Sequence, residues 1–267
     1  MLKKIMWYGI VVIAFIGFIT LSLGFYQALT ISSGKAKTAS KISLPNANGS
    51  LSASQKANQL NITIMGDSIA RGAGDITGKG FTQYLPEDLK NKTSKDLSIE
   101  DVGIDGYRSV DILSQLQSGK LDNLLKNSDF ILISIGGNDI RTIQSQSETN
   151  KDQSFKALQD KYLSDLKASI NIIRKSSQVA TIVFLGSYNP YLKTSSVEDT
   201  RIINLWNSNT DQLIESDPHA VFVPTYDLIK YNIDKYIALD GLHPNTEGYK
   251  AISSRIAEAI EGLVVSK

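Results

Sequence analysis

The sequence predicts an α/β domain: a mostly parallel sheet of about five strands with helices on both faces. Two observations carry this. From residue 60 onward, short apolar runs alternate with longer stretches of helical periodicity, the pattern of repeated βα units. The apolar runs are also nearly continuous. Phe130-Ile131-Leu132-Ile133-Ser134-Ile135 leaves no polar face, as in strands covered on both sides. Right-handed crossovers then bring the turns after the strands to one rim of the sheet, where ligands bind in open α/β folds.

The segment ahead of this domain has a different character. After Lys3 and Lys4, residues Ile5 to Ile31 carry no charge, a run longer than the roughly 20 residues that cross a bilayer. Trp7, Tyr8, Phe25 and Tyr26 stand near its ends, where aromatic rings favour the membrane interface. A cleaved signal peptide would have an apolar core of about 7–15 residues and a clear small-x-small site. Only Ser22-Leu23-Gly24 approaches one, so residues 1–31 read as an uncleaved N-terminal signal anchor, one transmembrane helix. Lys35, Lys37 and Lys41 beyond the run make the positive-inside count equivocal; the short N-terminal tail places the body outside the cytoplasm. Residues 32–59, rich in Ser, Ala, Asn and Lys, read as a flexible linker, and 60–267 as the folded domain.

Composition narrows the chemistry. The chain of 267 residues has no cysteine, which excludes disulfides, thiol catalysis and Cys-ligated zinc. With two histidines, His219 and His243, no His-rich metal site is expected, and no cofactor either. Residues 1–59 hold six lysines and no acid, so the near-neutral total of 28 basic and 27 acidic residues conceals a mildly acidic body. Such a body is a poor nucleic-acid binder, because phosphate contacts need clustered Lys and Arg. The oligomeric state stays open.

Within the domain, strands are predicted at 60–66, 97–103, 129–136, 180–186 and 220–223. Helices are predicted at 81–91, 107–118, 155–176, 197–215 and 246–263. Phe155, Leu158, Tyr162, Leu166, Ile170 and Ile173 form one stripe at three- and four-residue steps. Tyr249, Ile252, Ile256, Ile260 and Leu263 form another, with Asn245 or Thr246 as its cap.

Four of the expected turns carry reactive or permissive residues. The first strand runs through Ile62, Ile64 and Met65 into Gly66-Asp67-Ser68, which sets a serine hydroxyl on the rim. A serine needs a base and an oxyanion pocket to act as a nucleophile. The second turn is Asp101-Val102-Gly103-Ile104-Asp105-Gly106-Tyr107, and the third Gly136-Gly137-Asn138-Asp139. Each, taken alone, is an ordinary turn. In Asp240-Gly241-Leu242-His243-Pro244, a carboxylate three residues before an imidazole can hold the tautomer whose other nitrogen accepts a proton. His219 and Trp206 read as surface and packing residues. Tyr188 reads as packing too, though its rim turn can line a pocket.

Together, in this order, the four blocks resemble the SGNH, or GDSL-type, hydrolase family over nearly all of residues 60–263. The glycine-rich stretch from Gly66 to Gly80 is most similar to extracytoplasmic lipase/acylhydrolase members of Gram-positive bacteria. The resemblance implies a three-layer flavodoxin-like fold and ester hydrolysis through an acyl-enzyme. It implies Ser68 as nucleophile, His243 as base and acid, and Asp240 as the orienting carboxylate. The Ser68 and Gly106 backbone N–H groups and the Asn138 side chain would form the oxyanion hole. Where the second block often begins with Asn, this chain has Asp101, a position with no catalytic role.

Two other classes compete. Gly72-Ala73-Gly74 followed by Gly78 has neither spacing of a nucleotide-binding glycine loop. A non-catalytic surface binding module would keep the triad only as a vestige. The substrate is expected to be a small-molecule or glycan ester at the cell envelope, either lipid-like or simple, with O-acetylated glycan as the alternative. Specificity is expected in the loops at 71–80, 140–154 and 187–200, and the polar stretch 141–154 reads as a lid.

Overall fold

The computed structural model describes residues 58–144, 151–191 and 196–265. The expected membrane anchor and almost all of the linker lie outside the described residues. Among those described, no helix is long and apolar enough to cross a membrane.

In chain order the elements are β1 (Gln59–Gly66), α1 (Phe81–Leu89), β2 (Asp96–Asp101), α2 (Ser109–Gln117), α3 (Asp122–Lys126), β3 (Phe130–Ser134) and α4 (Gly137–Gln144). There follow α5 (Lys151–Ser176), β4 (Thr181–Leu185), α6 (Val197–Glu215), β5 (Ala220–Val223), α7 (Tyr226–Lys230), α8 (Ile233–Tyr236) and α9 (Thr246–Val265). The five strands pair in the order β2-β1-β3-β4-β5, and every pairing is parallel. The chain thus leaves β1 for one side of the sheet and then crosses to the other. A crevice opens at the strand ends where the direction of winding reverses, between β1 and β3.

The continuous apolar runs are explained by a core on each side of the sheet. Alternate residues of one strand point to opposite faces. Ile131 and Ile133 join Met65, Ile182 and Phe184 against α2, α5 and α6, with Tyr162 and Trp206 stacked at 4.2 Å between ring centroids. Phe130 and Leu132 join Ile62, Ile64, Val183 and Leu185 against α1 and α9. Each such side chain contributes roughly 1.5–3 kcal/mol by leaving water. Truncating Leu132, 1% exposed, to Ala would therefore cost about 2–5 kcal/mol.

The predicted strands and long helices are all present, with ends shifted by up to four residues. Four short helices, α3, α4, α7 and α8, were not predicted; at four to eight residues they are too short to show a periodic stripe. One of them falls on the stretch expected to be a lid, whose residues 145–150 lie outside the described residues. Residues 137–144 are helical, and α5 begins at Lys151 rather than at 155, so most of the polar stretch 141–154 belongs to two helices. Asp139 in the first turn of α4 favours that start, because a carboxylate there meets the positive end of the helix dipole. Ile140, 4% exposed, ties the helix to the core.

Candidate active site

Local backbone chemistry sets the first turn. Gly66 has φ 142°, and a Cβ there would lie 1.9 Å from the Ser134 carbonyl oxygen, so only glycine fits where β1 meets β3. The chain then turns at Asp67, whose N–H donates to the Ser134 carbonyl at 3.0 Å. The carboxylate of Asp67 accepts the Ile69 N–H at 2.9 Å, and the Ser68 carbonyl accepts the Ala73 N–H at 2.9 Å. Ser68 emerges half-buried on the rim.

The histidine arrives from the far end of the chain. Ser68 Oγ lies 2.8 Å from His243 Nε2, across 175 positions of sequence. His243 Nδ1 lies 2.7 Å from Asp240 Oδ2. The other oxygen of Asp240 accepts the backbone N–H groups of Leu242 at 2.9 Å and His243 at 3.0 Å. Burial pushes the Asp240 carboxyl up, but the hydrogen bonds from the His243 side chain and backbone outweigh it, and the net shift is below the usual carboxylate range. An anionic Asp240 on Nδ1 favours the tautomer with its proton there, which leaves Nε2 as an acceptor facing the hydroxyl.

Asn138 stands one residue into α4. Its side-chain amide donates to the Tyr107 carbonyl at 2.9 Å, which orients the group and leaves a second N–H for a ligand. The neighbouring Asp139 is buried and accepts the Ser109 N–H at 3.0 Å and hydroxyl at 2.7 Å, joining the third turn to the start of α2. Burial nevertheless raises its carboxyl, with the Ser109 bonds opposing. The second turn is held to the first by the Ile104 N–H on the Gly66 carbonyl at 3.0 Å and by the Arg71–Asp105 ion pair at 2.6 Å. Gly106 has φ 78° and open space beside its Cα. Among the described residues neither its N–H nor that of Ser68 is bonded to an acceptor. Asp101, at the divergent position, accepts the Gly103 N–H at 2.8 Å, a local turn bond that leaves the site untouched.

Ser68, Asn138 and His243 line one cleft, whose wall is apolar at Ile135, Ile140, Leu185, Pro190, Ile203 and Leu242. Gly106 stands outside that wall, on its exposed turn. Tyr188 also lines the cleft, and its hydroxyl donates to the Leu242 carbonyl at 2.8 Å, so it steadies the histidine turn. Trp206 is a packing residue and His219 is exposed. Among the described residues no group of three or more His, Cys, Asp or Glu side chains gathers as a metal-binding set.

Two features escape sequence reasoning. Asp75 accepts hydrogen bonds from the Tyr84 hydroxyl at 3.0 Å, the Thr246 hydroxyl at 2.7 Å, the Gly80 N–H at 3.1 Å and the Thr77 hydroxyl. It thereby joins the loop after Ser68 to the first residue of α9, just beyond His243. Asn245, not Thr246, caps that helix, accepting the Gly248 N–H at 2.9 Å. Gly74 has φ 89°, and a Cβ on it would fall 2.6 Å from His243 Cβ and 2.5 Å from the Pro244 carbonyl oxygen. Of the glycines in the cluster from Gly72 to Gly78, Gly74 thus makes room for the histidine turn, while Gly72 lets the chain pass close to Gly80. Their clustering in the sequence was the available signal.

Known proteins resemble this chain in sequence and in fold. The model of the GDSL-like lipase/acylhydrolase family matches residues 64–251. The uncharacterized protein YpmR of Bacillus subtilis is 30% identical over 210 residues, covering 76% of this chain and 82% of its own. The spore germination lipase LipC of Bacillus licheniformis is 26% identical over 206 residues, covering 75% and 96%. Among solved structures, the lipase Lip_vut3 from a goat rumen metagenome superposes with a TM-score of 0.65 at 21% identity, over 75% of this chain and 97% of that one.

Proposed function

This chain belongs to the GDSL-like lipase/acylhydrolase family and is a serine hydrolase of carboxylic esters, and from that premise we propose that Ser68, His243 and Asp240 carry the reaction. Ser68 Oγ attacks the ester carbonyl carbon while His243 Nε2 takes its proton. Asp240 holds the imidazole and stabilises the imidazolium. The tetrahedral oxyanion is received by the N–H groups of Ser68 and Gly106 and by the Asn138 amide. His243 then protonates the departing alcohol, and an acyl-enzyme remains. Water, deprotonated by the same imidazole, releases the carboxylic acid and restores the serine.

The observation that carries this reading is the unbroken hydrogen-bonded chain, 2.8 Å from hydroxyl to imidazole and 2.7 Å from imidazole to carboxylate. Its test is labelling by a fluorophosphonate, which captures only an activated serine. The native protein should label on Ser68, and Ser68→Ala should neither label nor turn over ester above background. Normal turnover by Ser68→Ala would remove the assignment. Asn138→Ala should lower kcat by about 10²–10³, the usual cost of one oxyanion donor.

For the substrate, the apolar wall of the cleft favours an acyl chain over a bare acetyl group, with the natural substrate a lipid-like ester at the cell envelope. The uncharged run from Ile5 to Ile31 supports an envelope location with the catalytic body outside the cytoplasm. The rival substrate is an O-acetylated glycan. Its support is the fold shared with a Clostridium thermocellum family 3 carbohydrate esterase, TM-score 0.57 at 19% identity. A chain-length series of p-nitrophenyl esters separates them: activity on eight or more carbons favours the lipid, and a steep preference for acetate favours the glycan.

A further inference from the structure

Single exposed apolar side chains are ordinary. In this domain, however, the three most exposed large ones share one pole. Leu239 is fully exposed, Ile76 91% and Val197 89%. Leu239 immediately precedes Asp240. Ile76 lies on the loop that follows Ser68. The two loops touch, since a Cβ on Gly74 would come within 3.3 Å of Ala238 Cβ. Val197 opens α6, the helix whose Ile203 lines the cleft. Ile104, 40% exposed, adds a fourth apolar side chain from the turn that carries Gly106.

Both signs of charge stand on this pole, with Asp75, Asp240 and Asp199 among its anions. Arg71 and Arg108, on the first and second turns, are paired with Asp105 at 2.6 Å and Asp111 at 3.7 Å. Lys79, beside Ile76 on its loop, and Arg141, on the cleft rim in α4, have no carboxylate partner among the described residues. Apolar side chains projecting from loops that also present the exposed Lys79 and Arg141 suit a bilayer surface, where the first enter the acyl boundary and the second reach headgroup phosphate.

We propose that this pole is a membrane-docking face, which sets the cleft mouth against a lipid surface so that an acyl ester passes from the bilayer to Ser68 without crossing water. The length of chain ahead of the domain allows it. Residues 32–57 reach at most ~90 Å when extended, whereas a body of about 210 residues is roughly 40–45 Å across. With the uncharged run as the proposed anchor, a reach of that length leaves the domain free to present its cleft mouth to a bilayer. The docking itself is independent of the hydrolase reading; only its purpose rests on it.

The chain has no cysteine, so single-cysteine variants can be labelled at one position each. The full chain is reconstituted into phosphatidylcholine vesicles containing phosphatidylglycerol, with an environment-sensitive nitrobenzoxadiazole label at Ile76→Cys, Leu239→Cys or Val179→Cys. Val179 is 66% exposed and sits just before β4, at the opposite pole. Labels at 76 and 239 should shift to the blue and be quenched by doxyl-labelled lipid, while the label at 179 should not. Equal quenching at all three positions, or none at 76 and 239, overturns the proposal. As a second measurement, the double variant Ile76→Ser/Leu239→Ser should lower the rate on a vesicle-embedded ester about tenfold or more relative to a soluble short-chain ester. An unchanged ratio also overturns it. Loss of both rates in the native protein would instead strike at the hydrolase reading and leave the quenching result to decide the docking.

Discussion

Asp67 and Asp75 lie on the same loop, one just before the serine and one just after it, and both are almost fully buried, 3% and 7% exposed. Their carboxyls nevertheless move in opposite directions. At Asp67 burial dominates, and the N–H groups of Ile69 and Ala70 only partly offset it. The nearby Asp139 adds to the rise, which reaches about 7. At Asp75 burial also pushes upward, but bonds from Thr77, Thr246, Gly80 and Tyr84 outweigh it and hold the group at about 2. Depth and donors together decide which carboxyl keeps its charge: Asp67 sits deeper beneath the surface and has only backbone N–H donors, whereas Asp75 lies in a shallower place and gathers three hydroxyls and one N–H. Near neutral pH the molecule therefore has a fixed anion that joins two loops and, behind the serine, a carboxyl that is close to its own titration point.

The largest break in this comparison should come from Asp75→Asn. The amide keeps the shape but turns an NH₂ toward groups that are themselves donors. Hydrogen bonds to charged groups contribute about 1.5–3 kcal/mol each, so losing part of this set should destabilise the fold by about 2–4 kcal/mol. Because Thr246 follows His243 so closely, kcat should fall as well, with KM for a small ester little changed. Chemical denaturation and steady-state kinetics check both effects. A stable, fully active Asp75→Asn would mean that the four bonds do not hold the histidine turn.

Asp67→Asn should act with the opposite sign. The Asp67 carboxyl is raised in the folded state above its value of 3.8 in the unfolded chain, to about 7. Between these values the folded protein retains a proton that the unfolded chain releases. Its contribution therefore favours folding most below about pH 4, weakens as pH rises toward 7, and is flat above. The neutral amide removes that slope. At pH 8 Asp67→Asn should be more stable than the native protein by on the order of 2 kcal/mol, with the advantage gone at pH 4. Thermal melts at the two pH values read this directly, and equal stability at pH 8 would show that the buried carboxylate finds compensation elsewhere.

The contrast also marks what the sequence could disclose. The sheet was legible because Phe130 to Ile135 and Ile182 to Leu185 must be apolar on both faces to sit between two helical layers. The proposed site residues Ser68, Asn138, Asp240 and His243 could be picked out because acyl transfer would restrict the residue types that serve it, and each stands in a turn with a recognisable glycine or proline. The four short helices were hidden by their length. Asp75 was hidden for another reason: its partners Tyr84 and Thr246 come from a neighbouring helix and from the far end of the chain, and no local pattern joins them. Gly74 was visible as a glycine, but its purpose, clearing space for His243, exists only after the loops meet.

The finest test of the four-donor account is Tyr84→Phe. Tyr84 is buried at 5% exposure in the core formed with α9, and its hydroxyl reaches Asp75 Oδ1 at 3.0 Å. The substitution keeps the ring and removes one donor of the four. Asp75 would retain Thr77, Thr246 and Gly80 and remain an anion near neutral pH, so the expected cost is about 1 kcal/mol, well below that of Asp75→Asn. The shift has a sign as well. With one donor fewer, the Asp75 carboxyl should rise from about 2; a depressed carboxyl stabilises the fold fully above its unfolded value of 3.8 and loses that contribution as pH falls through its folded value, so acid unfolding of the less stable Tyr84→Phe should begin at a higher pH than in the native protein. Melts followed from pH 5 downward separate the outcomes. A cost equal to that of Asp75→Asn would make the tyrosine bond the dominant one, and no cost at all would mean that three donors already saturate the carboxylate.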